Sequence, residues 1–212
     1  MKVGIVGFGR SGTTLVANMI ENFFSQEERG SGDSVFADHW FRKPRAIQSR
    51  NEILILCRRD LRDVLASGLR DINMIGGEKF TIDKMQNPFP KNFKVYKEKY
   101  GVQEDELISF GRKHIEEGWY DWLPHVKYIF HYEAYMENRQ PIAKELAELV
   151  GCSNVDINEA IEFTEEWKKN NPEHITDAKG KTNVWHDIFS EAQEKIIIDN
   201  FGHWMREYGY IK

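Results

Sequence analysis

The feature that most constrains this chain is its beginning, where an apolar run, a glycine-rich stretch and a helix-like pattern follow one another. The run Val3–Gly7 is apolar, partly β-branched and closed by a glycine, which predicts a buried parallel strand. Apolar residues then recur at helical spacing, at Leu15, Val16, Met19, Ile20 and Phe23. A loop between such a strand and helix can point backbone N–H groups, and the positive end of the helix, at an anion.

Three more short apolar runs predict strands, at Val35–Ala37, Ile53–Cys57 and Tyr128–Phe130. Helical patterns follow the last two. Two further helix starts have capping-box spacing, at Asp156 with Glu159 and at Ser190 with Gln193. Strands separated by helices predict an α/β fold, with a central parallel sheet and right-handed crossovers.

We therefore expect a single three-layer α/β/α domain over residues 1–212, with a P-loop-like strand, loop and helix at its start. The segment from about 72 to 106 is rich in Lys, Phe, Asn and Pro and has no clean period. It predicts a loop-rich insertion over a binding site.

Composition excludes several classes of protein. The 29 basic and 34 acidic residues give a net charge of −5, so neither nucleic acid nor an anionic membrane is an expected partner. Hydrophobic residues make up 41% of the chain, too many for a disordered protein. No run is long enough to cross a bilayer, and the start does not resemble a signal peptide. With only Cys57 and Cys152, and a buried thiol expected at Cys57, we predict a reducing, cytoplasmic location.

Three anions could occupy the glycine-rich loop. The pattern Gly7-x-Gly9-x-x-Gly12 fits a dinucleotide-binding protein. The pair Gly7 and Gly12 also fits the loop of a nucleoside-triphosphate kinase or NTPase, but Thr13 stands where that loop has its lysine. In the third interpretation, the positive side chain that binds the anion lies earlier in the loop, at Arg10.

With that cation, Arg10-Ser11-Gly12-Thr13-Thr14 resembles the 5′-phosphosulfate loop of the sulfotransferase family. The resemblance implies an enzyme that moves a sulfuryl group from 3′-phosphoadenosine-5′-phosphosulfate (PAPS) to a hydroxyl acceptor and releases adenosine 3′,5′-bisphosphate (PAP). The acceptor would be a small molecule or a glycan, and the insertion at about 72–106 would shape its binding site.

A second motif extends the resemblance. Arg59 and Ser67 have the spacing of the family's 3′-phosphate ligands, and Lys179-Gly180 resembles a loop that returns to that phosphate. The segment Tyr132–Tyr135 resembles the family's Tyr-Glu-Asp-Leu motif.

For catalysis, the resemblance implies that Arg10 stabilises charge on the transferring group and that His39 accepts the proton of the acceptor hydroxyl. Asp38, Glu52 and Glu78 are alternative bases. The remaining histidines show no zinc-type spacing, so we predict no metal site.

Five other residues are predicted to have structural roles. Arg62, Asp63 and Arg70 fit a solvated charged face of a helix. Phe163 and Trp167 are expected in the core by their helical spacing, with a wall for adenine as the alternative role.

Overall fold

The computed structural model describes residues 1–7, 11–28, 33–38, 53–74, 119–171 and 181–212. In chain order, these residues form four strands and six helices of more than one turn: β1 (Lys2–Gly7), α1 (Thr13–Gln26), β2 (Ser34–Asp38), β3 (Ile53–Arg58), α2 (Leu61–Met74), β4 (Tyr128–His131), α3 (Tyr132–Glu137), α4 (Arg139–Leu149), α5 (Ile157–Asn170) and α6 (Glu191–Glu207). A one-turn helix lies at Tyr120–Trp122, and 3₁₀ turns lie at Leu123–His125 and Val184–Asp187.

The four strands form one parallel sheet in the order β2-β1-β3-β4. The α/β class and the central parallel sheet are thus confirmed. Each predicted strand is present, lengthened by one or two residues. From β1 the chain continues to β2, at one edge of the sheet, and from β3 it continues to β4, at the opposite edge. The carboxyl ends of β1 and β3 therefore flank a topological switch point, where open α/β sheets bind ligands.

The chain divides into two compact units. The first consists of Met1–Arg59 and Trp122–Ile175, and the second of Asp60–Asp121 and Thr176–Lys212. The prediction of one domain over residues 1–212 stays a prediction.

The first unit contains the sheet and its main core. Helix α1 packs against β2 and α5, and its side chains Met19, Ile20 and Phe23 are fully buried. The chain after α4 turns through Gly151, which has a positive φ of 70°, as is common where helices end. Phe163 of α5 is 41% exposed, so its predicted core position is wrong; Trp167 is half-buried.

The second unit contains α2, the segment from Lys181 to Ser190, and α6. Helix α6 begins at a capping box, in which the Ser190 hydroxyl accepts the Gln193 N–H and the Gln193 side chain accepts the Ser190 N–H. The rings of Trp119 and Trp204 lie edge to face at 5.5 Å, and the Trp119 Nε1–H donates to the Tyr208 hydroxyl.

The structure tests two further expectations in part. Helix α2 continues to Met74, so the first three residues of the predicted insertion are helical; residues 75–106 lie outside the described residues. No helix in the described part of the chain is long and apolar enough to cross a bilayer.

Candidate active site

The glycine-rich loop joins β1 to α1, at the carboxyl end of the sheet. Gly12 is the N-cap of α1 with φ 101°, a backbone conformation that side chains disfavour. The first turn of α1 contains no acidic side chain. Its N–H groups have no partner within the helix, and its dipole favours an anion at this end. The local geometry therefore fits a phosphate or sulfate group.

The loop packs tightly on the neighbouring strands. A Cβ added at Gly7 would lie 2.6 Å from Ser11 Oγ and 2.8 Å from the Cys57 carbonyl oxygen. Ser11 and Thr13 are almost fully buried, while Thr14 is half-buried. A larger residue at position 7 would therefore collide with Ser11 and with β3. At position 12, the positive φ also favours glycine.

Arg59 follows β3 at the same edge of the sheet. Gly7 pairs with Cys57 in the register of β1 and β3, so the loop after β1 and the residues after β3 emerge side by side. The guanidinium carbon of Arg59 lies 4.5 Å from the centroid of the Tyr132 ring, a cation–π contact. Arg59 is only 4% exposed.

Tyr132 contacts a residue of each of the two predicted phosphate motifs. It comes directly after β4, is 7% exposed, and its Cδ2 would lie 2.9 Å from a Cβ at Gly12. One ring therefore contacts both Gly12 and the Arg59 guanidinium. Sequence reasoning assigned Tyr132 to a motif without a role. Its signal was its position immediately after a strand, where parallel sheets place their ligand-binding residues.

The thiol at the end of the sheet is inert. Cys57 is fully buried, as predicted, and burial raises the pKa of its thiol well above the usual value. A thiol that stays protonated is a poor nucleophile. Cys152 is also buried and free.

The second unit carries another predicted ligand, Ser67. It lies on α2 and is 2% exposed. One turn earlier on the same helix, Asp63 accepts the backbone N–H groups of Asn183 and Trp185.

The predicted solvated face of α2 is wrong at Arg62 and Asp63, which are 7% and 1% exposed. Arg62 bonds to both carboxylate oxygens of Asp60, at 2.7–3.2 Å, and to Glu194 at 2.7 Å. Burial raises the pKa of the Asp60 carboxyl, and the bonds and charge of Arg62 offset that rise only in part. Of Arg70, the structure describes the helical backbone alone.

Four predicted site residues lie outside the described residues: Arg10, His39, Lys179 and Gly180. The alternative bases Glu52 and Glu78 do so as well, and Asp38 is described only as the last residue of β2. The structure thus brings the Ser11–Thr14 loop and Arg59 together. Within the described residues, no group of three or more His, Cys, Asp or Glu side chains could hold a metal ion.

A family model described as the sulfotransferase domain matches residues 37–209. This chain belongs to the sulfotransferase family. The matched residues include Arg59, Ser67, Lys179 and Gly180, whereas the Ser11–Thr14 loop precedes them. No curated protein matches the chain.

Solved sulfotransferase structures share the fold. A mouse sulfotransferase complexed with PAP has a TM-score of 0.58 and 16% identity, over 97% of this chain and 84% of the other. A retinol dehydratase in complex with androsterone and the inactive cofactor PAP has a TM-score of 0.59 and 18% identity, over 94% and 80% of the two chains.

The family confirms the predicted enzyme class, a transferase of sulfuryl groups. It does not favour the alternatives, a P-loop kinase or NTPase and a dinucleotide-binding protein.

Proposed function

We propose that this sulfotransferase uses PAPS as its donor and a small-molecule hydroxyl compound as its acceptor. The observation that carries the proposal is the shared contact of Tyr132 with Gly12 and with Arg59, since it fixes an anion-binding helix start beside a buried arginine. The two structural neighbours were determined with PAP, and one of them with androsterone, which supports both the donor and the class of acceptor.

The residues of the first unit fit the 5′ side of such a donor. The backbone of Ser11–Thr14 supplies N–H donors at the start of α1, and Gly12 adopts the positive φ with which the loop enters the helix. Arg10 would hold the oxygen that bridges phosphorus and sulfur, where negative charge grows as the bond breaks.

For the 3′-phosphate we propose Arg59, Ser67, Lys179 and Gly180. Arginine presents a planar fork that matches phosphate oxygens. The burial of Arg59 and its contact with the Tyr132 ring restrict the side chain, which lowers the entropy lost on binding.

PAPS supplies the sulfuryl group and the leaving PAP. His39 is the proposed base: it takes the proton of the acceptor hydroxyl as the new oxygen–sulfur bond forms and the sulfur–oxygen bond to the 5′-phosphate breaks. A histidine suits this role because its ordinary pKa lies near neutral pH.

Two further predictions complete the proposal. The segment from about 72 to 106 is proposed to shape the acceptor site. A reducing, cytoplasmic location is supported by the two buried free cysteines, Cys57 and Cys152.

The first test is calorimetry with PAP and with AMP, which lacks the 3′-phosphate. Arg59→Ala should weaken PAP by roughly 2–4 kcal/mol and AMP far less, because a charge-assisted contact with a dianion is lost. Arg206→Ala is the matched control, since it removes an exposed arginine from the last turn of α6. Equal losses for the two nucleotides in Arg59→Ala would show that Arg59 does not bind the 3′-phosphate.

The second test separates binding from chemistry. His39→Ala should leave the PAP affinity unchanged and lower turnover by about a hundredfold to ten thousandfold, the usual contribution of a general base. Turnover is measured by transfer from PAPS to a panel of hydroxyl acceptors. Unchanged turnover would remove His39 from the mechanism and favour a carboxylate base.

A further inference from the structure

Asp63 has an unusual set of partners for a helical carboxylate. It lies in the first turn of α2 and is 1% exposed. Its Oδ2 accepts the Asn183 N–H at 2.8 Å, and its Oδ1 accepts the Trp185 N–H at 3.2 Å. Both oxygens of one buried side chain therefore hold the backbone of a segment 120 residues away in sequence.

The segment held in this way has a constrained conformation. Asn183 has φ 60° and ψ 26°, the left-handed conformation that few residues other than glycine adopt, and it caps the 3₁₀ turn Val184–Asp187. Trp185 is 4% exposed, and the guanidinium carbon of Arg62 lies 4.1 Å from its ring centroid. The segment is thus fixed to α2 at its backbone and at one side chain.

The position of the segment relates it to the proposed 3′-phosphate ligands. Asp63 and Ser67 are four residues apart on α2, so they lie on the same face of the helix. In sequence, Lys179 and Gly180 directly precede Lys181, where the described segment begins.

We propose that Asp63 is a positioning residue for donor binding. It fixes the segment Lys181–Trp185 on the face of α2 that carries Ser67, and this sets the affinity for the 3′-phosphate. The inference rests on the proposed function. Asp63 itself does not contact the phosphate, because both of its oxygens are occupied by N–H donors and its charge would repel the dianion.

The carboxylate is required because two N–H donors face the side chain. An asparagine offers a single acceptor oxygen, so its amide nitrogen would face the second N–H donor. Asp63→Asn therefore changes the hydrogen bonding of the segment with little change in shape.

The test measures the Kd of PAP and of AMP by calorimetry for the whole chain. Asp63→Asn should raise the Kd of PAP about tenfold or more, because the segment loses one of its two hydrogen bonds to Asp63 and must then be ordered at the expense of binding energy. It should leave the Kd of AMP within about twofold of wild type. The KM for PAPS should rise with the Kd of PAP. If Asp63→Asn does not fold, Asp63→Glu replaces it: both oxygens remain, but the added methylene displaces the segment, so the same selective loss is expected.

A core change on α6 provides the matched control. Ile197 is fully buried in the same unit, and Ile197→Val should lower the melting temperature without changing the ratio of the two Kd values. An unchanged ratio in Asp63→Asn, with wild type binding PAP more tightly than AMP, would overturn the positioning role. Failure of the wild-type protein to bind PAP would instead overturn the proposed donor.

Discussion

Replacing Gly12 by alanine tests the geometry of the loop most directly. The added Cβ meets Cδ2 of Tyr132 at 2.9 Å and Cε1 of Phe130 at 3.3 Å, at a residue with φ 101°. Backbone strain at such a conformation costs about 1–3 kcal/mol, and overpacking a filled site costs about as much again. We expect Gly12→Ala to lower the free energy of unfolding by roughly 2–6 kcal/mol.

Gly209 offers a matched control. It also has a positive φ, 76°, but a Cβ there would have no neighbour within 4 Å. Gly209→Ala should therefore lower the free energy of unfolding by the cost of backbone strain alone, about 1–2 kcal/mol. The smaller entropy of the unfolded chain stabilises both variants alike and cancels in their difference.

Urea unfolding of the two variants, together with PAP binding, is the assay. The difference between them, roughly 1–3 kcal/mol, measures the steric contact with the two rings. Gly12→Ala should also weaken PAP, whereas Gly209→Ala should not. Adding Tyr132→Ala to Gly12→Ala should recover part of the loss in a double-mutant cycle. Equal destabilisation by Gly12→Ala and Gly209→Ala would refute the packing of Tyr132 against the loop.

Two smaller predictions concern stability. Tyr135 is fully buried, and its hydroxyl has no hydrogen-bond partner among the described residues, so Tyr135→Phe should stabilise the protein by about 1 kcal/mol at neutral pH. Burial also raises the pKa of Tyr135 to about 12, so the wild-type protein should lose stability as the pH rises from 10 toward 12, and Tyr135→Phe should lose less. If Tyr135→Phe instead lowered the free energy of unfolding in urea at neutral pH, this would contradict the burial of an unpaired hydroxyl. Ser190→Ala should lower the free energy of unfolding by about 1 kcal/mol, because α6 loses its N-cap, and an unchanged melting temperature would show that the cap is dispensable.

The strands and the helix starts could be predicted from the sequence because their causes are local. Each strand of a parallel sheet is covered on both faces and is therefore a short uniform apolar run, as Ile53–Cys57 shows. The capping box at Ser190 and Gln193 needs only four residues. The glycine-rich loop is local as well, since the positive φ of Gly12 and the tight contact of Gly7 both exclude a side chain.

The roles that sequence reasoning missed depend on partners far away in the chain. Asp63 resembles any solvated carboxylate near a helix start until Asn183 and Trp185 are placed against it. Tyr132 contacts Gly12, 120 residues earlier. Phe163 shows the opposite error: its spacing on α5 fits a core residue, but 41% of its surface is exposed.

Arg59 and Arg62 show how the structure separates a candidate ligand from a structural arginine. Arg62 uses its Nε, Nη1 and Nη2 groups on Asp60, on Glu194 and on the carbonyl of Tyr210, while its plane covers Trp185. Breaking these bonds to reach a phosphate would leave the buried carboxylate of Asp60 without its cation, typically a loss of about 3–5 kcal/mol.

Arg59 lies at the carboxyl end of β3, with its guanidinium carbon 4.5 Å from the centroid of the Tyr132 ring, which also contacts the glycine-rich loop. The printed contacts of the two guanidinium groups therefore differ, although the arginines are three residues apart. Arg62 stabilises the fold through a buried ion pair. We expect mutation of Arg59, the proposed 3′-phosphate ligand, to change nucleotide selectivity, whereas mutation of Arg62 should first change the free energy of unfolding.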